Sequence, residues 1–355
     1  MNKRLWMALA CAWAGVAATA HAQKGEPDGD SVVTMYGRVY VMFDIVEAKG
    51  GTGPDLPRRN RVSDQSSLLG VRGTESLGGG LKAFFQLETG FSPDGAGGSF
   101  AQRNSGVGLQ HERFGSVLMG RWDMPFKQTQ VAPVDPFTDL SIADITGSAI
   151  NQGNFSNREQ NVVQYWSPQL AGFDVKLAYS ANEARTATVN PYKTGASIQY
   201  GRGEYYIAYA YEKHHDILDG SVKAGATHTG NGIAGYFRLG PAKLMAQYGT
   251  YDGTGLKKQK SYALGLDLVF LQQNHLLVLY QNSKDGGAAT LARQPECDAI
   301  GIGYRYDFSR RTMFQMNYVK VNNKVGNLCN FGAGTLNITS GADPTGFAAG
   351  VRHTF

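Results

Sequence analysis

The chain has 355 residues, with 46 Gly, 18 Tyr, 17 Phe, 12 Pro and three Cys, a balance that suits strands and tight turns better than helices. Its 34 basic and 29 acidic residues give a formal net charge of +5, too even to imply a nucleic-acid partner. After the first 22 residues no stretch approaches the ~20 consecutive apolar residues that a spanning helix requires, which excludes an α-helical membrane protein.

Residues 1–22 read as a cleaved secretory signal: Lys3 and Arg4 start it, Leu5 to Ala20 are mostly apolar, and Ala20-His21-Ala22 supplies a small-x-small site before Gln23. The mature chain, 23–355, is then a single domain working outside the cytoplasm, with a net charge of +3 once Lys3 and Arg4 are gone. Cys11 leaves with the signal. An oxidising envelope permits Cys297 and Cys329 to pair but does not require it.

A strand with lipid on one side and water on the other alternates in polarity over ~10 residues between turn signals. Leu81 to Glu88 does so, with Leu81, Ala83, Phe85 and Leu87 on one face and Lys82, Gln86 and Glu88 on the other. Leu264, Leu266, Leu268 and Phe270 share a face in the same way. Strands are predicted at 33–46, 66–76, 81–91, 101–110, 115–122, 160–167, 173–181, 193–201, 203–212, 230–238, 241–251, 260–270, 275–283, 298–308, 312–321 and 345–355. The fold class is therefore all-β: a 16-stranded antiparallel transmembrane barrel, every second residue of which is expected to face an aqueous bore.

Short connections such as Leu77-Gly78-Gly79-Gly80, Leu239-Gly240 and Ser309-Arg310-Arg311 alternate with long ones at 47–65, 213–229, 284–297 and 322–344. Short periplasmic turns opposite long outside loops fit an up-and-down barrel, and an even count lets the first and last strands close the sheet. The longest connection, Asp123 to Glu159, carries Asp135, Asp139 and Asp144. A loop of such length is usually functional or disordered. Its Val131, Val134, Phe137, Leu140, Ile142, Ile145 and Ile150 argue that it packs, and the surface available to it is the barrel interior.

At this point the sequence resembles the general diffusion porins of Gram-negative outer membranes, in their proteobacterial branch, over nearly the whole mature chain. The resemblance rests on Val33-Thr34-Met35-Tyr36-Gly37, on Gly70-Val71-Arg72-Gly73-Thr74-Glu75-Ser76-Leu77-Gly78-Gly79-Gly80-Leu81-Lys82-Ala83, and on Phe85-Gln86-Leu87-Glu88. Further along come Arg103 with Val107-Gly108-Leu109, Phe114-Gly115, Gly120-Arg121, Arg158 with Asn161, Tyr165-Trp166-Ser167-Pro168 and the ending Gly350-Val351-Arg352-His353-Thr354-Phe355. A terminal aromatic such as Phe355, sharing a strand face with Phe347, Ala349 and Val351, looks like the family's signal to the barrel-assembly machinery.

The resemblance implies a homotrimer in outer-membrane lipid and lipopolysaccharide, passing ions and small hydrophilic solutes passively, with no cofactor and no catalytic step. It also implies that the third outside loop, here 123–159, folds inward and sets carboxylates opposite a basic wall. Carried over by position, that wall is Arg38, Arg103, Arg121 and Arg158. Lys82 and Glu88 join the lumen side by alternation, and Asp135, Asp139 and Asp144 are the loop acids. Leu68 occupies a place where the family often has a further Arg, and Arg103 shares parity with the lipid-facing Val107 and Leu109. Opposed charges across a low-dielectric barrel create a transverse field that sorts ions and polar solutes.

Plainer readings stand beside these. Any one Arg could be a solvated rim charge, and Tyr36, Phe43, Phe91 and Tyr318 could form interfacial girdles. Arg58-Arg59-Asn60-Arg61 reads as a patch for lipopolysaccharide or solvent. His214-His215, placed in an outside loop, lacks the spacing of a metal site. The competing functions are a substrate-specific channel for an anion, phosphate or sugar, a barrel hydrolase, and an adhesin, for which the chain leaves no soluble domain.

Overall fold

The computed structural model describes residues 31–95, 97–137, 141–144, 155–218, 220–284 and 296–355. Expectations for residues 1–22, Asp139, Leu140, Ile145 and Ile150 lie outside the described residues. The β segments are β1 (Val32–Lys49), β2 (Leu56–Asp64), β3 (Leu68–Gly78), β4 (Leu81–Gly90), β5 (Ser105–His111), β6 (Gly115–Asp123), β7 (Arg158–Trp166), β8 (Phe173–Ala181) and β9 (Tyr192–Arg202). They continue as β10 (Tyr205–Leu218), β11 (Ser221–Leu239), β12 (Ala242–Gly253), β13 (Gln259–Phe270), β14 (Asn274–Lys284), β15 (Cys297–Asp307), β16 (Thr312–Asn323) and β17 (Asp343–Thr354).

All pairings are antiparallel, and the sheet closes on itself where β17 joins β1, from Arg38↔Thr354 to Lys49↔Asp343. β2 and β3 lie end to end along β1, so the 17 segments make 16 staves. Closure matters because each unpaired backbone group at an open edge in lipid costs several kcal/mol. At the seam Gly37 and Phe355 exchange both backbone hydrogen bonds, at 3.1 and 3.0 Å. The first tight turn uses Gly78, Gly79 and Gly80 at φ +85°, +59° and +82°, a left-handed run that three residues bearing Cβ atoms would resist.

Alternation sorts the two faces. On β10, Ile207 and Tyr209 are 52% and 46% exposed, whereas Ala208 and Ala210 are buried. An apolar residue facing outward beside a small one facing inward is what a lipid-facing wall requires. No described helix is long and apolar enough to cross a membrane, which says nothing of strands.

Two expected loops turn out to be strand. Leu56–Asp64 is β2, paired with β1 from Ala48↔Leu56 to Val41↔Asp64. β10 and β11 run on to Leu218↔Ser221, so 213–229 is a long hairpin and not a loop. Arg58, Arg59 and Asn60 are exposed, and above the apolar band a strand has no lipid to enforce alternation. His214 is consequently a fully buried strand residue, and not a loop residue.

The inner face is also not uniformly wet. Leu277, Leu279, Ala299, Val319, Val321, Ala348, Met42 and Val46 face inward on β14–β17 and β1, and all are buried in one apolar cluster. The physical reason is that chain, rather than water, covers them.

Candidate functional site

That cover comes from the connection between β6 and β7 and from the loop that follows β16. Helix α1 (Pro125–Gln130) begins with Pro125, whose fixed φ and missing N–H suit a first helical turn, and a 3-10 turn follows at Ala132–Val134. The segment docks where the wall has no side chains to obstruct it. A Cβ at Gly195 would come within 3.1 Å of Met124, and one at Gly232 within 3.0 Å of Phe126. Phe137 seats over Gly301 and Gly303, where added Cβ atoms would come within 3.1 and 2.6 Å of its ring. Phe126, Val134, Phe137, Ile142 and Phe155 are all buried. Full burial of a Phe contributes about 1.5–3 kcal/mol, so these anchors fix the segment's course.

The root of the segment is clamped by aromatics. Phe155 stacks on His214 at 4.5 Å and on Tyr251 at 5.4 Å, and meets His228 edge-on at 4.7 Å. His214 Nε2 lies 2.7 Å from Glu212 Oε1. Reading His214-His215 as a loop pair hid this role; the inward parity of Glu212 and His214 with Ala208 and Ala210 was the available signal.

Next to the apolar patch, beginning on β1 itself and continuing through β3 and β4, the wall is charged. The break between β2 and β3 places Ser66 at φ +71°, held by Asp64, whose carboxylate accepts the Ser66 and Ser67 N–H groups at 3.1 and 2.9 Å. This turn presents the Ser66 carbonyl to Arg38 Nε at 2.8 Å and the Ser66 hydroxyl to Arg38 Nη2 at 3.2 Å. Arg103 Nη1 reaches the same hydroxyl at 3.4 Å, so one serine gathers two guanidinium groups.

Arg103 Nε pairs with Glu88 Oε1 at 2.6 Å, and Tyr36 donates to Glu88 Oε2 at 3.0 Å. The parity conflict over Arg103 dissolves because β5 begins only at Ser105, after which alternation applies. The Arg103 backbone N–H donates to the Glu88 carbonyl, and its side chain is free to turn inward.

Arg158 and Asp123 face each other in register across β6 and β7. Arg158 Nη2 donates to Asp123 Oδ2 at 3.2 Å and Arg158 Nε to Asn104 Oδ1 at 2.7 Å. Lys127 of α1 reaches Asp123 Oδ1 at 3.1 Å. Arg121 lies at the register shift between Gly120 and Trp122, and its Nε donates to the Gln102 carbonyl at 2.6 Å. With Arg158, Glu159 and Lys193 it lines a cavity of about 290 Å³.

Lys82 stands apart. It is exposed beside the first tight turn, six residues along β4 from Glu88, which is roughly 20 Å at strand rise. Parity assigns a face and says nothing of height. Asp135 and Asp144 are buried in the segment; Asp135 Oδ1 accepts the Phe137 N–H at 2.8 Å.

Residue matching overlooked several inner charges. Asp123 was taken as a loop boundary, and Arg61 as part of an external patch although it pairs with Asp44 at 3.0 Å. Arg352 and Arg305, like Arg38 and Asp135, lie within electrostatic reach of the buried Tyr40. Arg352 was legible by alternation with the exposed Val351. Lys176 and Lys243 also face inward, donating to Gln128 Oε1 at 2.8 Å and the Pro133 carbonyl at 3.0 Å.

Comparison with known proteins places these observations in context. A family model described as Gram-negative porin matches residues 8–326. Outer membrane porin protein 32 of Delftia acidovorans is 28% identical over 358 residues, covering 96% of this chain and 99% of the relative. Major outer membrane protein P.IB of Neisseria meningitidis is 26% identical, covering 79% and 84%. Among solved structures, the anion-selective porin from Comamonas acidovorans superposes with a TM-score of 0.74 at 26% identity, covering 92% of this chain and all of that one.

Proposed function

The chain belongs to the Gram-negative porin family, and we propose that its bore, narrowed by the 123–157 segment, prefers anions. As a porin it is an outer-membrane channel for passive diffusion, with no catalytic step. The carrying observation is the imbalance of charge pairing on the inner wall. Glu88, Asp123, Glu159 and Asp44 are each tied to at least one cation. Arg121 and Lys243, by contrast, donate to neutral oxygens; Lys176 does too, but the inward Asp174, itself accepting from the neutral Gln199 amide, offsets it. A carboxylate already matched by a cation projects little field, so the surplus positive charge sets the potential seen by a passing ion.

The similar Comamonas acidovorans structure is described as anion-selective, which supports the same reading here. Arg38, Arg103 and Arg158 form the basic side of the narrow zone, with Arg121 beside it, while Glu88 and Asp123 shape the field locally. Lys82 lies too far down the wall to share in it. Signal removal at Ala22 rests on the charged start, apolar run and small-x-small site of residues 1–22, while trimer formation and use of Phe355 for assembly rest on the family resemblance.

Reversal potential of the pure protein in a planar bilayer under a salt gradient tests the preference. A potential on the chloride side is expected, and a cation-selective value would overturn it. Conductance that saturates with one solute would instead indicate a substrate-specific channel.

A further inference from the structure

We propose that the last long connection, residues 324–342, is a second size-limiting wall of the bore, strapped in place by the Cys297–Cys329 disulfide. Three tethers hold it. The disulfide ties buried Cys329 to buried Cys297 at the start of β15. Asn323 grips the same cysteine's backbone, its Oδ1 accepting the Cys329 N–H at 2.8 Å and its Nδ2 donating to the Cys329 carbonyl at 3.0 Å. Arg61, paired with Asp44 on the wall, donates through Nη2 to the Gly334 carbonyl.

Between these tethers the loop leans on the 123–157 segment. The Ala333 N–H donates to the Ser141 carbonyl at 3.1 Å, and Gly332 lies so close to the Asp144 carbonyl that a Cβ there would overlap it. Phe331 and Leu336 bury themselves in the apolar cluster that also holds Phe137 and Ile142. The segment is thus trapped between the barrel wall and the last loop.

The loop's other side is open. Gly332, Ala333 and Gly334 face Ser66, Gln102 and Arg103 across a cavity of about 400 Å³. Small residues here leave room beside the charged wall, and a disulfide that fixes their position fixes the width.

The inference rests on the interior being the conducting bore, and the test separates the two. Single-channel conductance and the size limit for neutral sugars are measured on the full-length protein, C297S/C329S and A333W. Because conductance follows the narrowest cross-section, releasing the strap is expected to raise it about 1.5-fold and admit larger sugars, and Trp at 333 to lower it about twofold. If C297S/C329S fails to fold, A333W, which keeps the disulfide, decides alone. Parent-like conductance in folded variants overturns the strap while the bore stands; a parent that does not conduct overturns both.

Discussion

Two halves of the same inner wall behave oppositely. On β14–β17 and the Met42–Ala48 stretch of β1, the inward apolar side chains Leu277, Ala299, Val319, Met42 and their neighbours are sealed from solvent beneath Phe137, Ile142 and Phe331, whereas Arg38, earlier on β1, belongs with the charged lining. On β3–β8 and the turns between them, the inward groups are Glu88, Arg103, Asp123, Arg158 and Lys176, in ion pairs and hydrogen bonds that line open cavities. The sheet geometry is the same on both sides. What differs is whether folded-in chain or water covers the wall, and a barrel can therefore narrow itself on one side and hold its field on the other.

Removing the anchor of the covered half is expected to have the largest effect. Phe137→Ala leaves a void over Gly301 and Gly303, and truncations of buried Phe cost about 3–5 kcal/mol. Limited proteolysis should then cut within 123–157, and conductance should rise and become noisy. A segment as protease-resistant as the parent's would break the contrast between the halves.

Filling the seat from the other side comes next. Gly303→Val places methyl groups where the Phe137 ring already sits 2.6 Å from an added Cβ, an overpacking of about 1–3 kcal/mol. A lowered unfolding temperature in detergent, read from the heat-dependent mobility shift on gels, is expected. The same change at Gly78, in a turn with nothing near it, tests backbone strain alone.

The charged half should respond in selectivity rather than stability. A unit charge about 5 Å from an ion's path in water is worth about 0.8 kcal/mol, less with salt screening. Arg38→Ala and Arg158→Ala should therefore each lower the anion-to-cation permeability ratio about two- to fourfold. Lys82→Ala is expected to be the smallest change: it stands roughly 20 Å from Glu88, about two screening lengths at 0.1 M salt. A shift as large as that of Arg38→Ala would move the narrow zone toward the short turns.

Alternation made sixteen staves legible because lipid enforces it along the apolar band. It failed at Leu56–Asp64 and at 213–229, where Arg58 to Arg61, Lys213 to Asp216 and Thr227 to Thr229 put polar residues on both faces of paired strands. It also failed to separate the two inner halves: Leu277 and Leu279 share a parity with polar lining residues, and only contact with the distant Phe137 explains them. Arg38, Arg103 and Arg158 were reachable through their neighbouring motifs. The Ser66 turn that gathers two of them was not, because its geometry arises from a strand break, and Arg352 was missed although Val351 beside it marks its face.

The most direct test of a divided wall is the reversal potential of Arg38→Ala/Arg158→Ala beside that of Phe137→Ala in one salt gradient. The expected result is a clear shift toward cations for the double Arg variant, with Phe137→Ala keeping the parent potential despite its altered conductance. A parent-like potential in the double variant, or an equal shift in Phe137→Ala, would contradict the division.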